Sequence, residues 1–253
     1  MYLLGARRMR WGVARKFPLM IVLAWLAFPA PVRGGYMFTN VIDSTSPYTD
    51  FVGPSLNNNG AVAFYAQIKT GGYGIFRSDG TMTTAIAQTT GTTFGNVYGT
   101  PSINDSGVVA FTGSGSAGTG IFAGSGGAVT TIAVSGGMFA GVPVGFGGTT
   151  SINNAGFVGF EGDLAAGGSG IFASNGTTTT TIALTGSMYR GFGSYPSINQ
   201  SGTVTFEAGV NPLGAGIFTG SGGAIKTIAD TSGPIAQPYN PSINSSGTVA
   251  FKA

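Results

Sequence analysis

Cysteine and histidine are both missing from this 253-residue chain. Without cysteine there is no disulfide, no thiolate metal site and no sulfur nucleophile. Without histidine the commonest general base and metal ligand is gone as well. Charge is scarce too, at 8% of residues, so solubility rests on hydroxyls and backbone rather than on ion pairs. The apolar share of 42% is nevertheless ordinary, which excludes a disordered Gly/Ser linker. Long hydrophobic runs are almost absent. The single example lies near the N-terminus, and no second run predicts a membrane span in the body.

That run is Phe17 to Phe28, preceded by Arg7, Arg8, Arg10, Arg15 and Lys16. Twelve residues are too few for a comfortable span, which needs roughly 20, but they suit the core of a secretory signal. Val32 and Gly34 are small enough for the −3 and −1 positions of a cleavage site. Residues 1–34 are therefore expected to be a signal peptide and 35–253 the mature domain. An uncleaved N-terminal anchor is the alternative. Beyond residue 34 only Lys69, Arg77, Arg190, Lys226 and Lys252 oppose eight Asp and Glu, a net of −3 (5 minus 8). Nucleic acid is excluded as a natural partner for such a body.

The body is built on a recurring stretch, Pro101-Ser-Ile-Asn-Asp-Ser-Gly-Val-Val-Ala-Phe111. It returns at 54–64, 150–160, 196–206 and 241–251, and its closing phenylalanines are Phe64, Phe111, Phe160, Phe206 and Phe251. Spacing of this size marks a tandem repeat. Asn suits the first position of a type I turn and Gly the fourth, so Ser-Ile-Asn and Val-Ala-Phe read as two antiparallel strands. The two residues between Asn and Gly drift, as a turn tolerates. A Gly-Ile-Phe strand (74–76, 120–122, 170–172, 216–218) and a Thr-rich strand ending in Ile-Ala follow. Asp79-Gly80, Gly126-Gly127, Asn175-Gly176 and Gly222-Gly223 stand between them as hairpin turns.

Four short strands per repeat predict an all-β fold, a β-propeller-like array of four-stranded antiparallel blades. About four repeats are complete, and a fifth is split and incomplete. A β-sandwich is the alternative. Both faces of each Val-x-Ala-Phe strand are apolar, with large residues on one and small on the other, so neighbouring blades should interlock. Asp43-Ser44-Thr45 resembles Asp230-Thr231-Ser232, so the body opens in mid-repeat. The segment from Phe38 to Ile42 is expected to be a strand, with Asn40 to Ile42 in the same sheet as Val249 to Phe251 or close beside it, in a composite blade still gapped where a Gly-Ile-Phe strand is missing.

Candidate chemistry is thin. The carboxylates are Asp43, Asp50, Asp79, Asp105, Glu161, Asp163, Glu207 and Asp230. A pair of them could serve a polysaccharide hydrolase or lyase. Asn104 to Gly107 lacks the alternating acids of a calcium loop. Neither a cofactor nor a metal is implied. Long connections (88–100, 134–149, 184–195, 230–240) carry aromatic residues, and such loops are often functional. Phe94, Tyr98, Phe139, Tyr189 and Tyr195 are the candidate ligand-binding residues, as rings that stack on sugars or grip a peptide. The same rings could instead plug the ends between blades.

Tandem Asn-x-x-Gly-x-x-Ala-Phe behind a signal peptide resembles a family of bacterial exported choice-of-anchor proteins with NxxGxxAF repeats, associated with PEP-CTERM sorting segments. Asn57/Gly60/Ala63/Phe64, Asn104/Gly107/Ala110/Phe111 and Asn244/Gly247/Ala250/Phe251 match fully, while Gly159 and Thr205 replace the alanine in the other two copies. The resemblance implies export and often a C-terminal anchor, and it brings no reaction with it. Ending at Ala253 within a repeat, the chain is expected to be a shortened member. A secreted or cell-surface non-catalytic protein is the resulting expectation, a binding or structural module for a glycan or a surface protein. An extracellular polysaccharide-acting enzyme is the competing one.

Overall fold

The computed structural model describes residues 38–91, 93–142 and 149–253. The expected signal peptide, and Phe146 of the connecting aromatics, lie outside the described residues. Four sheets follow the repeat. The first is β1 (Tyr48–Leu56), β2 (Val62–Ile68), β3 (Tyr73–Ser78) and β4 (Thr83–Gln88) in that order. The second is β5 (Phe94–Ile103), β6 (Val109–Gly115), β7 (Gly118–Gly124) and β8 (Thr130–Val134). In the third, β9 (Phe139–Gly141) and β10 (Ser151–Ile152) both pair with β11 (Val158–Leu164), followed by β12 (Ser169–Ser174) and β13 (Thr179–Leu184). The fourth repeats that plan with β14 (Tyr189–Phe192), β15 (Ser197–Ile198), β16 (Val204–Val210), β17 (Ala215–Gly220) and β18 (Lys226–Asp230). A two-stranded sheet, β19 (Tyr239–Ile243) with β20 (Val249–Lys252), ends the array. All pairings within the sheets are antiparallel, and the sheets are not closed into a ring. Each sheet uses strands consecutive in sequence, which is the organisation of blades and not of a sandwich.

Register repeats from blade to blade. Phe64 pairs with Phe76, Phe111 with Phe122, Phe160 with Phe172 and Phe206 with Phe218. The ring centroids lie 5.7–5.8 Å apart in every pair. The pairing of third with fourth strand is also interrupted at one place. Ala87 faces Ile75 and Ala85 faces Phe76, so Ile86 is an extra residue, a bulge. Ile132, Ile182 and Ile228 are extra in the same way.

The core lies between blades, not within them. The aromatic face of one blade packs on the small aliphatic face of the blade before it. Ala63, Ile75 and Ile86 of the first blade share a cluster with Phe94, Phe111 and Phe122 of the second. Ala110, Ile121 and Ile132 do the same for Phe139, Phe160 and Phe172, and Ile171, Ala173 and Ile182 for Tyr189, Phe206 and Phe218. The bulge places Ile86, Ile132 and Ile182 in the seams: the Ile182 Cγ2 atom lies 3.1 Å from where a Cβ on Gly220 would stand. The small residue before each phenylalanine follows from this packing. A Cβ on Gly159 would already meet Ile198 at 3.4 Å.

Two expectations are corrected here. Residues 38–42 form no strand and do not join β20. Ile42 packs with Tyr48 against Phe64 and Phe76, and Ser78 Oγ donates to Val41 O at 3.3 Å. Ser174 Oγ donates to Ile132 O in the same way two seams later. The segment thus occupies the place of a preceding blade's fourth strand and gives the first aromatic face the aliphatic cover that every other blade receives. The second correction concerns the long connections. Tyr195 lies in no strand, but Phe94–Tyr98, Phe139–Gly141 and Tyr189–Phe192 are strands that pair with the far halves of β6, β11 and β16.

Two glycines test these seams. Gly156 has φ +81° and open space around its Cβ position, whereas Gly176 has φ +87° and would place a Cβ 2.4 Å from Thr131 O of the preceding blade. Gly156→Ala should carry only the left-handed backbone penalty, about 1–2 kcal/mol. Gly176→Ala should cost more, since a backbone carbonyl in the neighbouring blade must also move. Equal chemical-denaturation midpoints for the two variants would contradict the seam.

Candidate functional site

At one end of the blades lie the Asn-x-x-Gly turns and the outer hairpins. The first four repeat asparagines, Asn57, Asn104, Asn153 and Asn199, are buried there, Asn153 being only 2% exposed. The side chains of Asn57, Asn104 and Asn153 work in two directions. Asn153 Oδ1 accepts from the amides of Ala155 (3.1 Å) and Phe157 (3.0 Å), closing its own turn. Its Nδ2 donates to Asn199 O of the next blade at 3.1 Å. Asn57 donates to Asn104 O and Asn104 to Asn153 O in the same fashion. The result is a ladder running from blade to blade.

A second ladder runs beside it through the residue after each asparagine. Asp105 accepts from Asn58 N at 3.0 Å, Asn154 Oδ1 from Asp105 N at 2.9 Å, and Gln200 Oε1 from Asn154 N at 2.8 Å. The apparent drift at this position therefore keeps one property, a side-chain acceptor. Asp105 also accepts from the side-chain amides of Asn58 and Asn154. Those bonds, led by the one from Asn154, hold its carboxyl below the usual carboxylate range. Asn104 lies in a glycosylation sequon, but its amide is buried and engaged in the ladder.

Between the turns and the outer hairpins lie clefts at three successive seams. At the first seam, Arg77 reaches across to donate to Gly107 O at 3.0 Å, with Asp79 and Asp105 nearby. The second is lined by Val108, Ile132, Ala155 and Asn175, among others. The third, between the third and fourth blades, has a volume of about 260 Å³. Phe157, Ala173, Ile182 and Ile198 give it apolar walls; Thr180, Gln200, Ser201 and Ser221 supply hydroxyls and an amide. No charged side chain lines it.

The aromatic residues singled out in the sequence do not converge on one place. Phe94, Phe139 and Tyr189 are buried. Each rests edge-on against the phenylalanine pair of its own blade, with Phe94 5.0 Å from Phe122, Phe139 5.0 Å from Phe172 and Tyr189 5.3 Å from Phe218. Their rings close the aromatic face of the blade, the end-plugging role that the sequence also allowed. Tyr98 is half-buried in β5, and Tyr195 is exposed beside the inner edge of the fourth blade.

Among the carboxylates, Asp43, Asp79 and Asp230 accept from backbone amides in their own turns. All three carboxyls are lowered, Asp43 chiefly by the Thr45 hydroxyl and then its amide, Asp230 chiefly by the Ser232 hydroxyl and then its amide, and Asp79 to about 2 with the Met82 amide contributing most. Glu161 differs. It faces the seam with the fourth blade, and its carboxyl is pushed up by burial first and then by the Asp163 charge, against a weak bond from Ser194 Oγ at 3.4 Å. Glu207 lies on the other side of the same loop, against Gly193. Among the described residues no three acidic, histidine or cysteine side chains converge to hold a metal ion.

A raised carboxyl favours the folded state while protonated, and that stability declines as pH rises through the folded-state titration. Glu161→Gln should therefore stabilise the protein at pH 7 and flatten the fall in denaturation midpoint above pH 4. An unchanged slope would contradict the placement of Glu161 in the seam.

The family described as "Family of unknown function (DUF7453)" matches residues 40–148 and, overlapping, 103–253. The chain belongs to that family. The overlap of the two matches is what a tandem repeat produces, since one stretch of blades can be aligned in more than one register along the array. No curated protein matches the chain. Family membership assigns no activity, so the site must be judged on its own geometry. Among the described residues no helix is long and apolar enough to cross a membrane.

Proposed function

We propose that this DUF7453 protein is a secreted or cell-surface module that binds a glycan or a protein without catalysis, of the exported choice-of-anchor type. The supporting observation is how its few chemically capable side chains are used. The buried asparagines, Asp43, Asp79, Asp105 and Asp230 all serve turns or seams, and the principal perturbation of Glu161 comes from burial and Asp163, not from a partner acid across a cleft. What varies from blade to blade is the lining of the clefts, as in a scaffold that presents different surfaces on equal supports.

The competing reading, a polysaccharide hydrolase or lyase, draws on Glu161 and Glu207 flanking the loop at Gly193–Ser194. A glycan array combined with product analysis on the mature protein separates them. Saturable binding with intact substrate supports the module. Turnover abolished by Glu161→Gln or Glu207→Gln would replace it with the enzyme.

A further inference from the structure

We infer that the cleft between the third and fourth blades is a binding site for a neutral sugar unit of a glycan, an assignment that rests on the binding function just proposed. The repeat itself shows why this cleft stands apart. The position four residues after the turn asparagine is Ala61, Val108, Phe157, Thr203 and Thr248 in successive blades, so only the third carries a ring. Phe157 is half-buried and lines the cleft with Ile182 and Ile198. An aromatic ring beside an aliphatic floor suits the C–H face of a sugar.

The opposite side supplies directed polar groups. Gln200 spends its Oε1 on Asn154 N, and its Nε2 makes no hydrogen bond among the described residues. Two N–H donors are left pointing into solvent at the rim, beside the hydroxyls of Thr180 and Ser221. With no charged side chain in the lining, an anionic or cationic ligand would find no counter-charge, which excludes uronates and peptides that bind through ionic side chains. A volume of about 260 Å³ takes one hexose ring and leaves its neighbours in the chain outside. The first-seam cleft is unlike it, because Arg77 bridges to Gly107 there and Asp79 and Asp105 bring negative charge.

The test uses variants that the repeat already tolerates elsewhere: Phe157→Thr, the residue at 203 and 248, and Gln200→Ser, the residue at 245. Binding of maltotriose, cellotriose, laminaritriose and trigalacturonate to the mature chain is followed by calorimetry, with thermal midpoints measured alongside. At least one neutral trisaccharide should bind saturably, trigalacturonate should not, and each variant should weaken binding by tenfold or more. Gln200→Ser removes the rim donors together with the acceptor for Asn154 N, and its thermal midpoint shows whether the blade contact has been disturbed, so the two variants are read against their own midpoints. Wild-type affinity in both variants would overturn the cleft while leaving the binding function in place. Binding confined to trigalacturonate, or none to any neutral trisaccharide, would overturn the ligand class.

Discussion

Alanine at Phe111 or Phe160 is expected to lower the unfolding free energy by about 3–5 kcal/mol, the cost of emptying a fully enclosed aromatic site. Both rings are essentially inaccessible. Each stacks on a cross-strand phenylalanine and meets a third ring edge-on, Phe94 at 5.4 Å from Phe111 and Phe139 at 5.5 Å from Phe160. Opposite lies the aliphatic face of another blade, so the cavity would open at a seam and loosen two sheets together. Phe251 holds the same repeat position but is only half-buried in the two-stranded sheet. Phe251→Ala should therefore cost clearly less. Guanidinium midpoints for the three variants measure the difference. A Phe111→Ala midpoint equal to that of the wild type would mean that the seams are not the core.

Much of this was legible because the repeat prints each structural requirement several times. The phenylalanines, the turn Asn and Gly, and the constant interval from Gly-Ile-Phe to Ile-Ala each have a fixed physical job, and fixed jobs keep fixed residues. What was missed depends on relations between segments distant in sequence, within a blade or between blades. Nothing local distinguishes Phe94-Gly-Asn-Val-Tyr98 from a loop, since its pairing partner in β6 follows about 15 residues later through a turn of unrelated sequence. Asp105, Asn154 and Gln200 look like drift until the preceding turn is placed beside them, when their shared acceptor becomes visible. Asp43-Ser44-Thr45 disclosed that the body opens in mid-repeat. It could not say whether that strand-like segment would join the last sheet or cover the first, because both are neighbours of a fourth strand in this architecture. The third-seam cleft was missed for the same reason, as Phe157 and Gln200 meet only across two blades.

The second large effect is expected at the asparagine ladder. Asn153→Ala removes the acceptor for Ala155 N and Phe157 N and the donor to Asn199 O. Asn199 O keeps its turn bond from Gly202 N, so the main penalty falls on the two amides. With an unsatisfied buried group costing about 1–3 kcal/mol, the variant should lose about 2–4 kcal/mol. Asn244 separates the two halves of the role. It accepts from Ser246 N and Thr248 N within its turn but is exposed. Asn244→Ala should cost about 1 kcal/mol, the ordinary net value of such bonds. Urea midpoints of the two alanine variants provide the comparison, and equal losses would show that neither the burial of the turn nor the bond between blades carries weight.

The ladder also has a direction. Asn57, Asn104 and Asn153 give an amide proton to the blade that follows, and the backbone carbonyls of Asn104, Asn153 and Asn199 receive it, so the second and third repeats each carry both halves of one joint. A unit made this way fits before or after any copy of itself, with no special partner sequence required. Gene duplication or loss of one whole repeat would leave every remaining joint chemically matched. In such a protein the number of blades is free to change through evolution while the angle and chemistry of each contact stay constant, and the surface between any two blades can diversify without disturbing the rest.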